Sequence, residues 1–367
     1  MTNRADPLYN VTGHVTGHIR QFSHFRPQGY SVKKRSRLTI RDVAAKAGVS
    51  HQTVSRVINA EVFVAPDTKA KVEAAIAKLG YQPNAIARSL AKGRTRTLAC
   101  IAPNLTDYTF ACIIEGAEAE CRQHGYFLIS TSASDADTFA ALINALVPSR
   151  RIEGLLIINP YIDERVTSLP KNFPAVFIGG MARPGDDADS VALDDEGAAR
   201  SAVQHLIELG HTRIAMITGP AIEDCVQDRI VGYRSALQAA KIKIDAKLIV
   251  EGDWSASSGH KAIMQLAQRK QLPTAIFAQN DRMALGALRA ARDLGLSVPA
   301  QLAVIGLDDM PLASYFDPPL TTMRQDMFGI GRAAAQLLVR AVEHPQPTRQ
   351  RLRLSAELVV RQSTQHP

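Results

Sequence analysis

The sequence predicts an α/β protein: an N-terminal three-helix head on a two-lobed core of doubly wound parallel sheets. Three observations carry this prediction. Residues 38–59 hold two short amphipathic helical patterns joined across a glycine. From Leu98 onward, short apolar runs alternate with helical periods, as in a parallel sheet covered on both faces. These β/α units are too many for one small sheet, so a chain of 367 residues is expected to build two lobes with a cleft between them.

In the head, Thr39 is placed to cap a helix whose apolar positions are Ile40, Val43, Ala44 and Ala47. Gly48 suits the left-handed residue that ends it. Ser50 starts a second helix only two residues later. That helix turns Val54, Val57 and Ile58 inward and leaves His51, Gln52, Ser55 and Arg56 outward. The plainer reading is a helical hairpin with a polar outer face; the sharper one is a helix-turn-helix whose outward residues reach base edges in a major groove. Pro66 and Asp67 open a third helix, with Val72, Ala75, Ile76 and Leu79 on one stripe and Gly80 at its end.

Charge supports the sharper reading. The chain carries a formal charge of +8, yet residues 1–96 hold 17 Lys and Arg against 5 Asp and Glu, while the remainder holds 26 against 30. A basic head on a slightly acidic body is the footprint of a nucleic-acid reader. Residues 1–37 read as a disordered polar extension, ending in the basic cluster Lys33-Lys34-Arg35. It has no apolar run of the kind a secretory signal needs, and no membrane span is expected, so a cytoplasmic protein is. The four cysteines (Cys100, Cys112, Cys121 and Cys225) form no C-x-x-C pair and lack zinc-ligand spacing, so neither metal nor cofactor is expected. The sequence also lacks the nucleophile elbow, P-loop, H-E-x-x-H and dinucleotide fingerprints, which argues against an enzyme.

Between head and core, Asn84 can cap a single short helix ended by Gly93. So short a helix is marginal alone and needs DNA or a partner chain to form. Leu90, flanked by Arg88 and Lys92, suits an apolar wedge between base steps; a plain linker is the alternative. The expected organisation is thus a helix-turn-helix domain over 38–83, a hinge over 84–96 and an effector and dimerisation core over 97–367.

Strands are predicted at 98–102, 126–130, 154–158, 175–178, 214–217, 275–278 and 303–307, with helices at 110–124, 196–209, 228–239, 257–268, 282–294 and 329–342. Ligands of such sheets lie beyond the carboxyl ends of the strands. Asp163, Arg229, Trp254, Asn280, Asp308 and Gln325 fall in or near those loops, Arg229 at the opening of a helix. Together they make a polyol site, with bidentate polar groups and an indole floor. Singly, Asp308 or Asn280 is equally a helix cap, Arg229 an ion pair and Trp254 a core residue. Asp309, beside Asp308, reads as a helix cap.

The string "TIRDVAAKAGVSHQTVSRVIN" resembles the DNA-binding head of the lactose-repressor/galactose-repressor family of bacterial transcription regulators, and the resemblance continues through "GYQPNAIARSLAKGRT". In the core, "EGDWSASSG", "PTAIFAQNDRMALGALRA", "VIGLDD" and "PPLTTMRQD" resemble most nearly the lactose-repressor branch. The family implies a periplasmic-binding-protein-like core and a hinge helix that pairs with its two-fold mate in the minor groove. It implies DNA contacts from Thr39, Ser50, His51, Gln52, Thr53, Ser55, Arg56 and Asn59 in the head and from Asn84, Ala87 and Leu90 in the hinge. It places Arg229, Trp254, Asn280, Asp308 and Gln325 at sugar-contacting positions and carries Asp163 with them, although the loop around Asn159-Pro160-Tyr161 aligns poorly. His51 stands where the lactose branch has tyrosine. Tyr108 and Phe110, expected on the first-lobe wall, also depart from it. The resulting expectation is a homodimeric repressor released from a pseudo-palindromic double-stranded DNA operator by a mono- or disaccharide. The alternative is the same architecture with a co-repressor ligand such as a nucleobase; Trp254 with the Asp, Asn and Arg set favours the sugar.

Overall fold

The structure, a computed structural model, describes residues 38–59, 64–82, 94–160, 169–170, 173–180, 189–269, 271–344 and 349–365. It divides into two compact units, residues 1–85 and 86–367.

In the first unit, α1 (Ile40–Ala47), α2 (His51–Ile58) and α3 (Pro66–Leu79) close around Val43, Ala44, Val54, Val72 and Ala75. The helix ends follow from side chains. The Asp42 carboxylate accepts from the Thr39 backbone N–H at 2.7 Å and from its hydroxyl at 2.8 Å, which fixes the start of α1. Gly48 ends that helix at φ 68°, a conformation that costs glycine nothing. Two residues later the Ser50 hydroxyl oxygen accepts from the Thr53 backbone N–H at 3.1 Å and starts α2.

The second unit is a pair of sheet lobes. The first lobe opens with β1 (Thr97–Ala102), α4 (Tyr108–Gln123), β2 (Phe127–Ser132), α5 (Ala136–Leu146), β3 (Gly154–Ile158), β4 (Ala175–Ile178) and β5 (Asp189–Leu193). The chain then crosses to the second lobe. There it makes α6 (Asp195–Glu208), β6 (Ile214–Thr218), α7 (Asp224–Ala239), β7 (Ile249–Glu251), α8 (Ala256–Ala267), β8 (Ala275–Ala278), α9 (Asp281–Asp293), β9 (Ala303–Asp308) and β10 (Thr321–Arg324). It returns for α10 (Met327–Glu343) and β11 (Arg351–Leu354), then crosses again for β12 (Glu357–Val359). Three crossings therefore join the lobes.

The first sheet runs β11-β5-β4-β3-β1-β2, all parallel. The second runs β12-β10-β9-β8-β6-β7, with only β12 antiparallel. Successive residues of a central strand enter opposite cores, as strand geometry requires. Leu156 and Leu155 do so in the first lobe, and Ile276 and Phe277 in the second. That two-sided burial is why these strands read as unbroken apolar runs.

The predicted strands and longer helices are present with small shifts at their ends. The structure adds elements that the sequence reading did not name: β5, β7, β10, β11, β12 and α5. Helix α7 starts at Asp224 rather than Asp228, so Arg229 sits in its second turn and does not open it. Asp309 is not a helix cap. Its carboxylate accepts from Arg324 Nε at 2.7 Å and lies 2.7 Å from Arg361 Nη2, which ties β10 and the C-terminal segment to the end of β9.

Candidate functional site

A cavity of about 180 Å³ lies between the lobes. Its first-lobe wall includes Asn104, Asp107 and Phe110, and its second-lobe wall includes Glu223, Arg229 and Trp254. Asn280, Asp308 and Gln325 line it as well. Of the residues proposed from the sequence, six therefore share this space. Tyr108 does not line it. That side chain packs against the first-lobe core, where burial and the neighbouring Cys112 push its hydroxyl up to about 12. Asp163 lies outside the described residues.

Arg229 is buried at the centre of a network. Its Nε donates to Asp195 Oδ1 at 2.7 Å and its Nη1 to the Gln279 carbonyl at 2.6 Å. Burial works against its charge, but the carboxylates of Asp195 and Asp308 leave its pKa raised, so the guanidinium is a fixed cation. Both readings of Arg229 thus hold at once: it is an ion pair, buried rather than at the surface, and it faces the cavity.

Trp254 is placed by three contacts. Its indole packs so closely on Gly219 that a Cβ there would fall 2.1 Å from Cζ2. Its Nε1 donates to Glu223 Oε1 at 3.0 Å. The Arg229 guanidinium lies 5.7 Å from its ring centroid, within cation–π range. The backbone of Trp254 is left-handed, with φ 67°. Asp308 ends β9 at φ 132°, and Asp309 follows it at φ 54°. Such backbone conformations cost a non-glycine residue energy, and they persist where surrounding contacts enforce them.

Asp308 accepts from Gln325 Nε2 at 2.7 Å. Burial holds its carboxyl well above the usual range, and the nearby Asp281 adds to this. Asp281 lies beneath, fully buried, and accepts from the Thr322 hydroxyl at 2.6 Å and the Met310 N–H at 2.8 Å. Asn280 realises the cap reading while lining the cavity. Its Oδ1 accepts from the Met283 N–H at 2.8 Å, and its Nδ2 donates to the Trp254 carbonyl at 3.1 Å.

Several lining residues escaped the sequence reading: Asp107, Asp195, Glu223, Cys225 and Arg282. Asp107 caps α4 by accepting from the Thr109 N–H at 2.9 Å, and it accepts across the cleft from Arg282 Nη2. The rule that ligands sit beyond strand ends pointed to these loops. Asp107 follows β1 and Glu223 follows β6.

In the head, His51, Gln52 and Arg56 are exposed on α2, and Ser55 is half-buried. Thr39, Ser50 and Thr53 are engaged in the caps of their own helices. Asn59 donates from Nδ2 to Ser55 Oγ at 3.3 Å. Asn84, Ala87 and Leu90 lie outside the described residues. Among the described residues, no His, Cys, Asp and Glu cluster is arranged to hold a metal ion, and no helix is long and apolar enough to cross a membrane.

Residues 39–84 match the family described as bacterial regulatory proteins, lacI family, and residues 203–364 match a periplasmic binding protein-like domain. The HTH-type transcriptional repressor PurR of Proteus mirabilis (strain HI4320) is 37% identical over 329 residues, which is 89% of this chain and 96% of that repressor. The chain belongs to the lacI family of bacterial regulatory proteins. This lacI-family regulator is also 36% identical to the ribose operon repressor of Escherichia coli (strain K12) over 328 residues, covering 89% of this chain and 99% of the relative. Among solved structures, the lac repressor dimer bound to operator and the anti-inducer ONPF superposes with a TM-score of 0.82 at 33% identity, covering 89% of this chain and 99% of that one. The expectation of a lactose-repressor branch is thus too narrow, because PurR and the ribose operon repressor match at higher identity. As a family member the chain is a DNA-binding transcription regulator with a ligand-binding core, not a catalyst.

Proposed function

We propose that this regulator is a homodimeric repressor whose affinity for a pseudo-palindromic operator is set by a small polar ligand seated between its lobes. The observation that carries the reading is the convergence of Arg229, Trp254, Asn280, Asp308 and Gln325 on one cavity walled by both lobes. A ligand bound there touches both lobes and favours the lobe arrangement in which it fits best. It shifts operator affinity only by the difference between its affinities for the two arrangements. A full switch from 1:99 to 99:1 needs about 5.5 kcal/mol of such difference.

Two ligand classes are compatible with the cavity. The co-repressor alternative, with a nucleobase, draws support from the relatives, since PurR repressors match at 37% and 38% identity. A sugar draws support from the cavity, where buried carboxylates and an indole suit hydroxyls and an apolar ring face, and from the ribose operon repressor. In both, the head is proposed to read bases through His51, Gln52 and Arg56. Leu90 is proposed as the hinge wedge.

The test is operator affinity, by fluorescence anisotropy on a sequence obtained by binding-site selection, with and without each of a set of sugars and nucleobases. A ligand that weakens operator binding supports the inducer form, and one that strengthens it supports the co-repressor form. If no ligand changes operator affinity, and none shifts the melting temperature, the cleft is not an effector site.

A further inference from the structure

The charge in the cleft is unevenly matched. Both lining guanidinium groups are already taken. Arg229 pairs with Asp195 at 2.7 Å, and Arg282 reaches across the lobes to Asp107. Two more carboxylates line the same space, Glu223 and Asp308, only 8% and 7% exposed. Glu223 accepts the Trp254 indole N–H at 3.0 Å and has Cys225 Sγ at 4.0 Å. Asp308 accepts the Gln325 amide at 2.7 Å. Among the described residues, neither has a Lys, Arg or His at ion-pair distance.

Each of these carboxylates has lone pairs left over for a ligand that donates hydrogen bonds. An anionic ligand would add further negative charge where water screens it poorly. The Arg229 charge is already balanced by Asp195 at 2.7 Å, so it does not offset that added charge in full.

We propose that the cleft selects its effector by charge: it takes an uncharged or amine-bearing molecule rich in hydrogen-bond donors, rejects phosphorylated and carboxylated ones, and Glu223 sets this choice. The inference rests on the cleft being the effector site. Asp308 contributes the same preference, but it is also held by Gln325 and sits above the buried Asp281, whereas Glu223 meets the ligand space beside the indole. Burial raises both carboxyls above the ordinary range, and the nearby Arg229 charge offsets this only in part.

Calorimetric titration of the full-length protein with matched sets tests the proposal. The sets are glucose, glucosamine and glucose 6-phosphate; ribose and ribose 5-phosphate; adenine and adenosine monophosphate. In any set that binds, the uncharged or amino member should bind at least about tenfold more tightly than its phosphorylated counterpart, or ~1.4 kcal/mol. Glu223→Gln keeps an acceptor for the indole and removes the charge. It should weaken the amino member most, weaken the uncharged one less and relieve the phosphorylated one. A merely structural Glu223 would weaken all members alike. A phosphorylated member that binds more tightly than its parent, and loses binding in Trp254→Ala, overturns the charge rule; if it also shifts operator affinity, the effector reading stands. Failure of every member to bind removes both readings. The wild-type comparison decides even if Glu223→Gln does not fold.

Discussion

Arg282 and Asp107 face each other across the cleft. The guanidinium stands in the first turn of α9 in one lobe, and the carboxylate caps α4 in the other. One side chain thus serves two ends, since Asp107 orders its own helix and holds the opposite lobe. The Arg282 side chain is 39% exposed, so water and salt weaken the pair.

A double-mutant cycle on Asp107→Asn and Arg282→Gln should give a coupling energy of about 0.5–1 kcal/mol that shrinks toward zero in 1 M salt. Asparagine retains the cap, so the cycle isolates the inter-lobe pair. Urea unfolding at low and high salt provides the four stabilities. A coupling insensitive to salt would mean the two residues communicate through packing instead.

Arg229→Ala should destabilise the ligand-free protein by about 3–5 kcal/mol, because Asp195 is left charged and buried without its partner. Adding Asp195→Asn should recover part of the loss. Additive losses in the double variant would show that the pair contributes nothing through charge. Any effect of Arg229→Ala on ligand release of DNA must therefore be read beside its stability, whereas Asp308→Asn is the cleaner probe of the site.

Stability should fall as pH rises from about 4 to about 6. Burial raises the Asp281 carboxyl from the ordinary 3.8 to about 6, and Asp308 is raised as well. An acid whose folded pKa lies above its unfolded one binds more protons when folded. Its contribution is complete below the unfolded value and is lost as pH passes the folded one. For Asp281 alone the loss is on the order of 2–3 kcal/mol. Denaturation across this window should show a downward slope that flattens in Asp281→Asn. An unchanged slope in that variant assigns the effect to other groups.

Gln52→Ala should relax base preference at one position per operator half-site, at a cost of about 1–3 kcal/mol. Ser50→Ala should instead cost about 1 kcal/mol of head stability through the lost cap on α2. Binding-site selection separates the two: the first variant changes the preferred sequence and the second keeps it.

The emission of Trp254 should respond to any ligand that enters the cleft, because this is the only tryptophan and its indole lines the cavity. Saturable quenching with the same midpoint as the calorimetric titration is the expected result. A bound ligand that leaves emission unchanged would place it away from the indole.

What the sequence made legible follows the physics of burial. Strands β3 and β8 are buried along their length, so Leu155, Leu156, Ile276 and Phe277 announce them. Strand β10 escaped because it is buried yet polar. Thr321 donates to the Arg361 carbonyl and Thr322 to Asp281, so hydroxyls stand where the eye expects hydrocarbon. Strand β11 alternates Arg351, Leu352, Arg353 and Leu354 at a sheet edge, a pattern too short and too charged to stand out. The site divides in the same way. Trp254 and Asp308 were visible as unusual residues in loops. Glu223 was not, because its meaning lies in the indole 31 residues away, and Asp107 was not, because its partner Arg282 is 175 residues away.

The three crossings between the lobes carry a consequence for how damage spreads. Neither lobe is a continuous piece of chain, and the last two strands are shared out, β11 to the edge of one sheet and β12 to the edge of the other. Beyond them, Ser363 donates to the Val304 carbonyl and receives the Thr321 N–H, pinning the segment into the second lobe. A premature stop at position 350 would strip the outermost strand from both sheets in a single event. A lesion that looks peripheral on a linear map is therefore central in space. Excising either half as an independent fragment would require rewiring the order of the gene.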